Sequence, residues 1–75
     1  MQAAQIEERL QQQFPGAKIK LTDLTGGGDH WQLVIEAEQF RGVGMLQQHR
    51  MIYKALGEWM QHEIHALSID AKIPA

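Results

Sequence analysis

The run Thr25-Gly26-Gly27-Gly28-Asp29 lies between two stretches whose hydrophobicity alternates residue by residue, and this arrangement constrains the fold more than any other feature of the chain. Before it, Ala17, Ile19 and Leu21 alternate with Lys18 and Lys20. After it, Trp31, Leu33, Ile35 and Ala37 alternate with His30, Gln32 and Glu36. A period of two belongs to a strand with one buried face. Consecutive glycines accept positive φ without steric cost, so the two strands are predicted to form an antiparallel hairpin with an exposed, mobile tip.

Helical periodicity flanks this hairpin. Ala3, Ile6, Leu10 and Phe14 recur at three- and four-residue spacing, the pattern of an amphipathic helix, which Pro15-Gly16 ends. Beyond the second strand, Phe40-Arg41-Gly42-Val43-Gly44 predicts a turn with one helical turn in it. A longer helix follows, with Met45, His49, Ile52, Leu56, Trp59 and Met60 on one face and Gln48, Arg50, Lys54 and Glu58 pointing outward. Ile64 to Ala71 alternates again, with Leu67, Ile69 and Ala71 on one side, and order is expected to end at Pro74. The result is a single α+β domain over residues 1–75, in the order αββααβ, without repeats or linkers.

That order carries a consequence for chemistry. A helical crossover usually leaves its two flanking strands parallel, so His30 and His65, which open the second and third strands, share a rim with the glycine loop. Alternation opposes their meeting. His30 is out of phase with Trp31 and Leu33, whereas His65 is in phase with Leu67 and Ile69, so regular strands would turn them to opposite faces. Loop freedom or twist at the strand ends is needed to bring them together.

Composition excludes several functions. A chain of 75 residues has room for one core, and with no cysteine its stability rests on packing or association. Residues 1–7 lack a signal-peptide pattern, and no apolar run approaches the length of about 18 residues that a membrane span needs. A cytoplasmic protein is expected. The formal net charge of −2 has the wrong sign for electrostatically driven nucleic-acid binding. The glycine run lacks the lysine and the following helix of a phosphate-binding loop. There is no cysteine nucleophile, no signature of an activated hydroxyl, and the carboxylates are scattered over predicted surfaces. An enzyme is not expected.

Four histidines in so short a chain are the unusual feature, since imidazole both titrates near neutrality and ligates transition metals. His30 is either a ligand swung inward by the glycine loop or a polar residue opening an exposed strand face. His65 is either a ligand or a partly buried histidine bonded to a main-chain carbonyl. His49, on the apolar stripe of the long helix, is expected to be a satisfied core residue, and His62 a cation at the end of that helix. Arg41, Arg50 and Lys54, with Gln47 and Gln48, make a strip that is either a solvated helix face or a set of phosphate contacts.

Taken together, the order αββααβ, Phe40-Arg41-Gly42 ahead of Gln48-His49-Arg50, and Ile64-His65-Ala66-Leu67 opening the last strand resemble the BolA family over nearly the whole chain. The resemblance implies a class II KH-like topology with a three-stranded mixed sheet packed against helices. It also implies an adaptor that binds a monothiol glutaredoxin and shares a 2Fe–2S cluster with that partner and glutathione, in iron–sulfur trafficking or iron and redox signalling. The isolated chain, a monomer or weak homodimer, would not hold the cluster alone. Family members supply the histidine of the I-H-A-L segment, here His65, and a cysteine or histidine from the loop between the first two strands, where His30 is the available ligand. Two nitrogen ligands would place one side of the cluster in a Rieske-like setting and make it sensitive to pH below about 6 to 6.5. Members have also been regarded as DNA-binding transcriptional regulators, for which segment 41–60 with Arg41, Arg50 and Lys54 would provide the contacts. Metal-free docking on the glutaredoxin is a third expectation.

Overall fold

Helix α1, Ala3–Gln13, forms where Ile6 and Leu10 leave one apolar stripe, and both are fully buried together with Phe14 just beyond its end. The Gln5 side chain accepts the N–H of Gln2 at 2.8 Å and so occupies one of the donors a helix start leaves free. This computed structural model describes residues 1–75. Strand β1, Lys18–Asp23, pairs antiparallel with β2, His30–Glu36, in a register running from Lys18 opposite Glu36 to Asp23 opposite Trp31. The hairpin is therefore the one expected around the glycine run.

After β2 the chain makes a single 3-10 turn, Glu38–Phe40, which buries the Phe40 ring 5.1 Å from that of Phe14. Helix α2 follows as Met45–Leu56, then a second 3-10 segment, Gly57–Met60, and strand β3, Ala66–Lys72. Strand β3 lies parallel to β2, giving the order β1-β2-β3 and a mixed sheet with β2 at its centre. The fold is α+β, with two α-helices and 3-10 turns filling the remaining helical positions. Trp31, Leu33, Ile35 and Ala37 face the helices and meet Ile6, Leu10, Phe40, Ile52, Leu56 and Ile64 in one core. No helix is long and apolar enough to cross a membrane.

The face of α2 differs from the expectation at Met45, Gln48 and His49. Met45 is 73% exposed, because it lies one turn ahead of the point where the helix meets the core. Gln48, expected outside, is buried, and its Nε2 donates to the carbonyl of Val43 at 2.7 Å and that of Phe40 at 3.4 Å. A tight turn packed under a helix leaves carbonyls that need a donor, and the amide at this position provides it. The buried row is thus Gln48, Ile52 and Leu56. His49, one position off that row, is half-buried, not a core residue.

Gly57 stops α2 at Leu56 with φ 56°, so Trp59 and Met60 lie on the 3-10 segment beyond it. Arg9 joins the two helices there: its guanidinium sits 3.5 Å above the Trp59 ring and donates to the Leu56 carbonyl at 3.1 Å. The C-terminal segment is also tethered. Arg41 donates to the carbonyl of Pro74 at 3.0 Å, so the chain is held where the sequence predicted order to end.

Candidate metal centre

The loop between β1 and β2 is organised by Asp23, the last residue of β1. Its carboxylate accepts the N–H groups of Thr25 at 3.3 Å, Gly26 at 2.9 Å and Gly28 at 3.0 Å. The tip from Leu24 to Gly27 is exposed, as expected, but its backbone is tied to a side chain rather than left free. Its base is closed from the other side, where Trp31 Nε1 donates to the Gly28 carbonyl at 3.0 Å. Gly28 is buried with φ 75°, and a Cβ there would stand 2.5 Å from the Met1 carbonyl oxygen. Only glycine satisfies both demands without displacement.

This fixed base places Asp29 at the junction of the loop and β3. Its carbonyl accepts the N–H of His65 at 2.8 Å and that of Ala66 at 3.3 Å, which pins the start of β3 beside the loop. His65 sits in the bend just before β3 rather than within the pleat, so strand alternation does not turn it away from His30. The outcome is that both imidazoles converge. Their ring centroids are 6.0 Å apart and their planes meet at 89°.

Both rings present Nδ1 to the Asp29 carboxylate. Oδ1 is 2.9 Å from His30 Nδ1, and Oδ2 is 3.3 Å from His65 Nδ1. The Thr25 hydroxyl donates to Oδ1 at 3.2 Å. The hydrogen bond from His30 chiefly holds the Asp29 carboxyl below the usual carboxylate range, with smaller help from the His30 charge, Thr25 and His65, and against the opposing effect of desolvation. An ionised carboxylate only accepts, so its hydrogen bond with His30 places a proton on Nδ1.

That donor set suits a soft or borderline metal. Two imidazoles on one tetrahedral ion have centroids about 5 Å apart, given metal–nitrogen bonds of about 2.1 Å. The observed 6.0 Å is about 1 Å longer than this, and the side chains of His30 and His65 are 41% and 62% exposed, open to a second molecule. No group of three His, Cys, Asp or Glu side chains is arranged to hold a metal ion by itself. The chain by itself brings together two imidazoles and one carboxylate, the carboxylate lying on the Nδ1 side of each ring.

The remaining candidates lie elsewhere. His62 is in the exposed turn after the second 3-10 segment. Arg41 is engaged by Glu38, whose Oε2 is 3.1 Å from Nη2, and by Pro74, while Arg50 and Lys54 are exposed on α2. The predicted basic strip is thereby reduced to two unengaged cations. Asp29 and Asp23, by contrast, are not scattered surface carboxylates, since Asp23 organises the loop and Asp29 meets both histidines. The available signal was their placement, one immediately before His30 and the other two residues before Thr25 in an Asp-Leu-Thr-Gly turn.

A helix, a hairpin, a helical crossover and a parallel third strand, with two histidines meeting where the strands β2 and β3 begin, define a small α+β domain. The family model of BolA-like protein matches residues 4–75, and the chain belongs to that family. It is 39% identical over 67 residues to the uncharacterized protein RP812 of Rickettsia prowazekii, a match covering 89% of this chain and 87% of the relative. With BolA-like protein 3 of Homo sapiens it shares 38% identity over 71 residues, 92% of this chain but 65% of the longer relative. The solved BolA domain of SufE1 from Arabidopsis thaliana superimposes with a TM-score of 0.88 at 28% identity, over 99% of this chain and 95% of that one.

Proposed function

We propose that this BolA-like chain is a non-enzymatic adaptor that docks on a monothiol glutaredoxin and shares a 2Fe–2S cluster with it at the His30–His65 end of the sheet. The observation that carries this reading is the convergence of two exposed imidazoles to 6.0 Å with a single carboxylate on their Nδ1 sides. A histidine oriented through one nitrogen by a carboxylate and free at the other is the usual form of a metal-ligating imidazole. Thiolates from the partner and from glutathione would complete the coordination. When bound, the cluster supplies reversible one-electron chemistry and transferable iron and sulfide, with a potential raised by nitrogen ligation. His30 and His65 bind it, and Asp23 and Gly28 fix the loop that carries His30.

The deciding experiment is reconstitution of the chain with a monothiol glutaredoxin, glutathione, iron and sulfide, followed by visible absorbance and circular dichroism. A mixed-complex spectrum, distinct from that of glutaredoxin alone and altered by both His30→Ala and His65→Ala, is expected. Spectra identical to those of glutaredoxin alone would overturn cluster sharing. DNA contact through segment 41–60 draws no comparable support, because Arg41 is engaged by Glu38 and the chain is net negative.

A further inference from the structure

We propose that Asp29 is a positioning residue for both histidines, its two carboxylate oxygens holding the Nδ1 sides of His30 and His65 so that both rings keep Nε2 free for ligation. This role rests on His30 and His65 being ligands. It adds a residue that binds nothing itself but decides which nitrogen each imidazole offers.

The geometry is unusual in its economy of groups. One carboxylate reaches two rings brought together from different strands, at 2.9 Å to His30 and 3.3 Å to His65. The contact with His30 is a directed hydrogen bond, whereas the longer approach of His65 Nδ1, at 3.3 Å, is less well directed. His30 is therefore the more firmly held ring. Asp29 is itself held at both its side chain and its backbone. The Thr25 hydroxyl donates to Oδ1 at 3.2 Å, and the Asp29 backbone carbonyl is occupied by His65 and Ala66. Thr25 is in turn positioned by the loop, its hydroxyl accepting the Gly27 N–H at 3.3 Å. A chain of contacts thus runs from the glycine loop to the two rings.

Tautomer choice has a cost when left open. A neutral imidazole without a partner distributes its proton between two nitrogens, and the fraction with Nε2 protonated cannot ligate through Nε2 until the proton moves. A carboxylate against Nδ1 removes that competition before a partner arrives. Outer-sphere partners of this kind typically change metal affinity by about 10- to 100-fold when replaced.

The test uses the full, metal-free chain labelled with 15N, at about pH 8.5, some two units above the ordinary histidine value of about 6.5. Long-range 1H–15N spectra assign the tautomer of each ring. In the wild-type chain His30 is expected to be mostly Nδ1-protonated, and His65 to lean the same way, beyond His49 and His62. Asp29→Asn keeps the size but offers one acceptor oxygen, so at least one of the two rings should shift toward the Nε2-protonated form, with amide dispersion showing that the fold is kept. In the reconstituted complex the same variant should weaken cluster binding about tenfold or more. A wild-type His30 found mainly Nε2-protonated overturns the proposal without any variant. Unchanged tautomers in Asp29→Asn overturn it too, as does cluster binding as tight in that variant as in the wild-type chain. If no mixed cluster forms even with the wild-type chain, the reading of His30 and His65 as ligands fails instead, and the tautomer spectra still decide whether Asp29 holds the rings.

Discussion

The rings of His30 and His65 stand 6.0 Å apart at 89° although one residue opens β2 and the other precedes β3. Parallel pairing places His30 opposite Ala66, so His65 falls opposite Asp29, in the bend where the pleat no longer sets side-chain direction. The proximity is thus a product of sheet register and of the loop that ends at Asp29, not of either strand alone.

Because the two imidazoles would complete one half-site, their contributions to a shared cluster are expected to be strongly non-additive. His30→Ala and His65→Ala should each remove the mixed-complex circular dichroism about as fully as the double variant. Partial losses that sum in the double variant would place the two histidines at separate functions.

Gly28 and Gly26 both have positive φ, at 75° and 80°, but only Gly28 lies against other backbone, with a Cβ placed 2.5 Å from the Met1 carbonyl oxygen. Gly26→Ala should cost about 1 kcal/mol, the left-handed penalty of a side chain in open space. Gly28→Ala should cost more, about 2 kcal/mol or above, because Met1 must also move and the Gly28 carbonyl holds Trp31. Urea midpoints of the two variants check the order, and equal losses would show that Met1 yields freely.

The parts of the fold that were legible in sequence are those where burial alone sets the pattern. Trp31, Leu33 and Ile35 announce a half-buried strand, and Ile6, Leu10 and Phe14 a helix, because each spacing has one structural explanation. Gln48 and Met45 depart from that pattern because polarity and exposure part company there, the amide being buried and the thioether exposed. The Val43 carbonyl that draws Gln48 inward exists only once the turn is folded. The site was half legible. The crossover brought His30 and His65 to one end, but strand parity argued against their meeting, and Asp29 acquires its partner in His65 only through the register of β2 with β3.

Gln48 offers a direct measure of that buried turn. Gln48→Leu keeps most of the volume but leaves the Val43 carbonyl without its donor, and should destabilise the chain by about 1 to 3 kcal/mol in urea unfolding. Hydrogen exchange should quicken at Val43, whose own N–H bonds to Phe40 at 3.0 Å within the same turn. A neutral substitution would mean that water replaces the amide at no cost.

Acid should weaken the fold through two surface carboxylates whose partners hold them below their ordinary value of 4.5. Glu38 is lowered chiefly by its hydrogen bond from Arg41, and Glu58 by its own backbone N–H and then by Arg9. A group lowered in the folded state binds its proton more readily when the chain is unfolded, so its contribution is complete above 4.5 and disappears as pH falls through that value and the lower folded one. Glu38→Gln should therefore lower the thermal midpoint slightly at neutral pH, and its curve should merge with that of the wild-type chain in acid. The tether from Arg41 to Pro74 is set by the same guanidinium, so exchange of the amides of residues 72 and 73 should also quicken in this variant. Curves that stay parallel down to the lowest pH at which the chain folds would show that the Glu38–Arg41 pair, though formed, contributes nothing to folding.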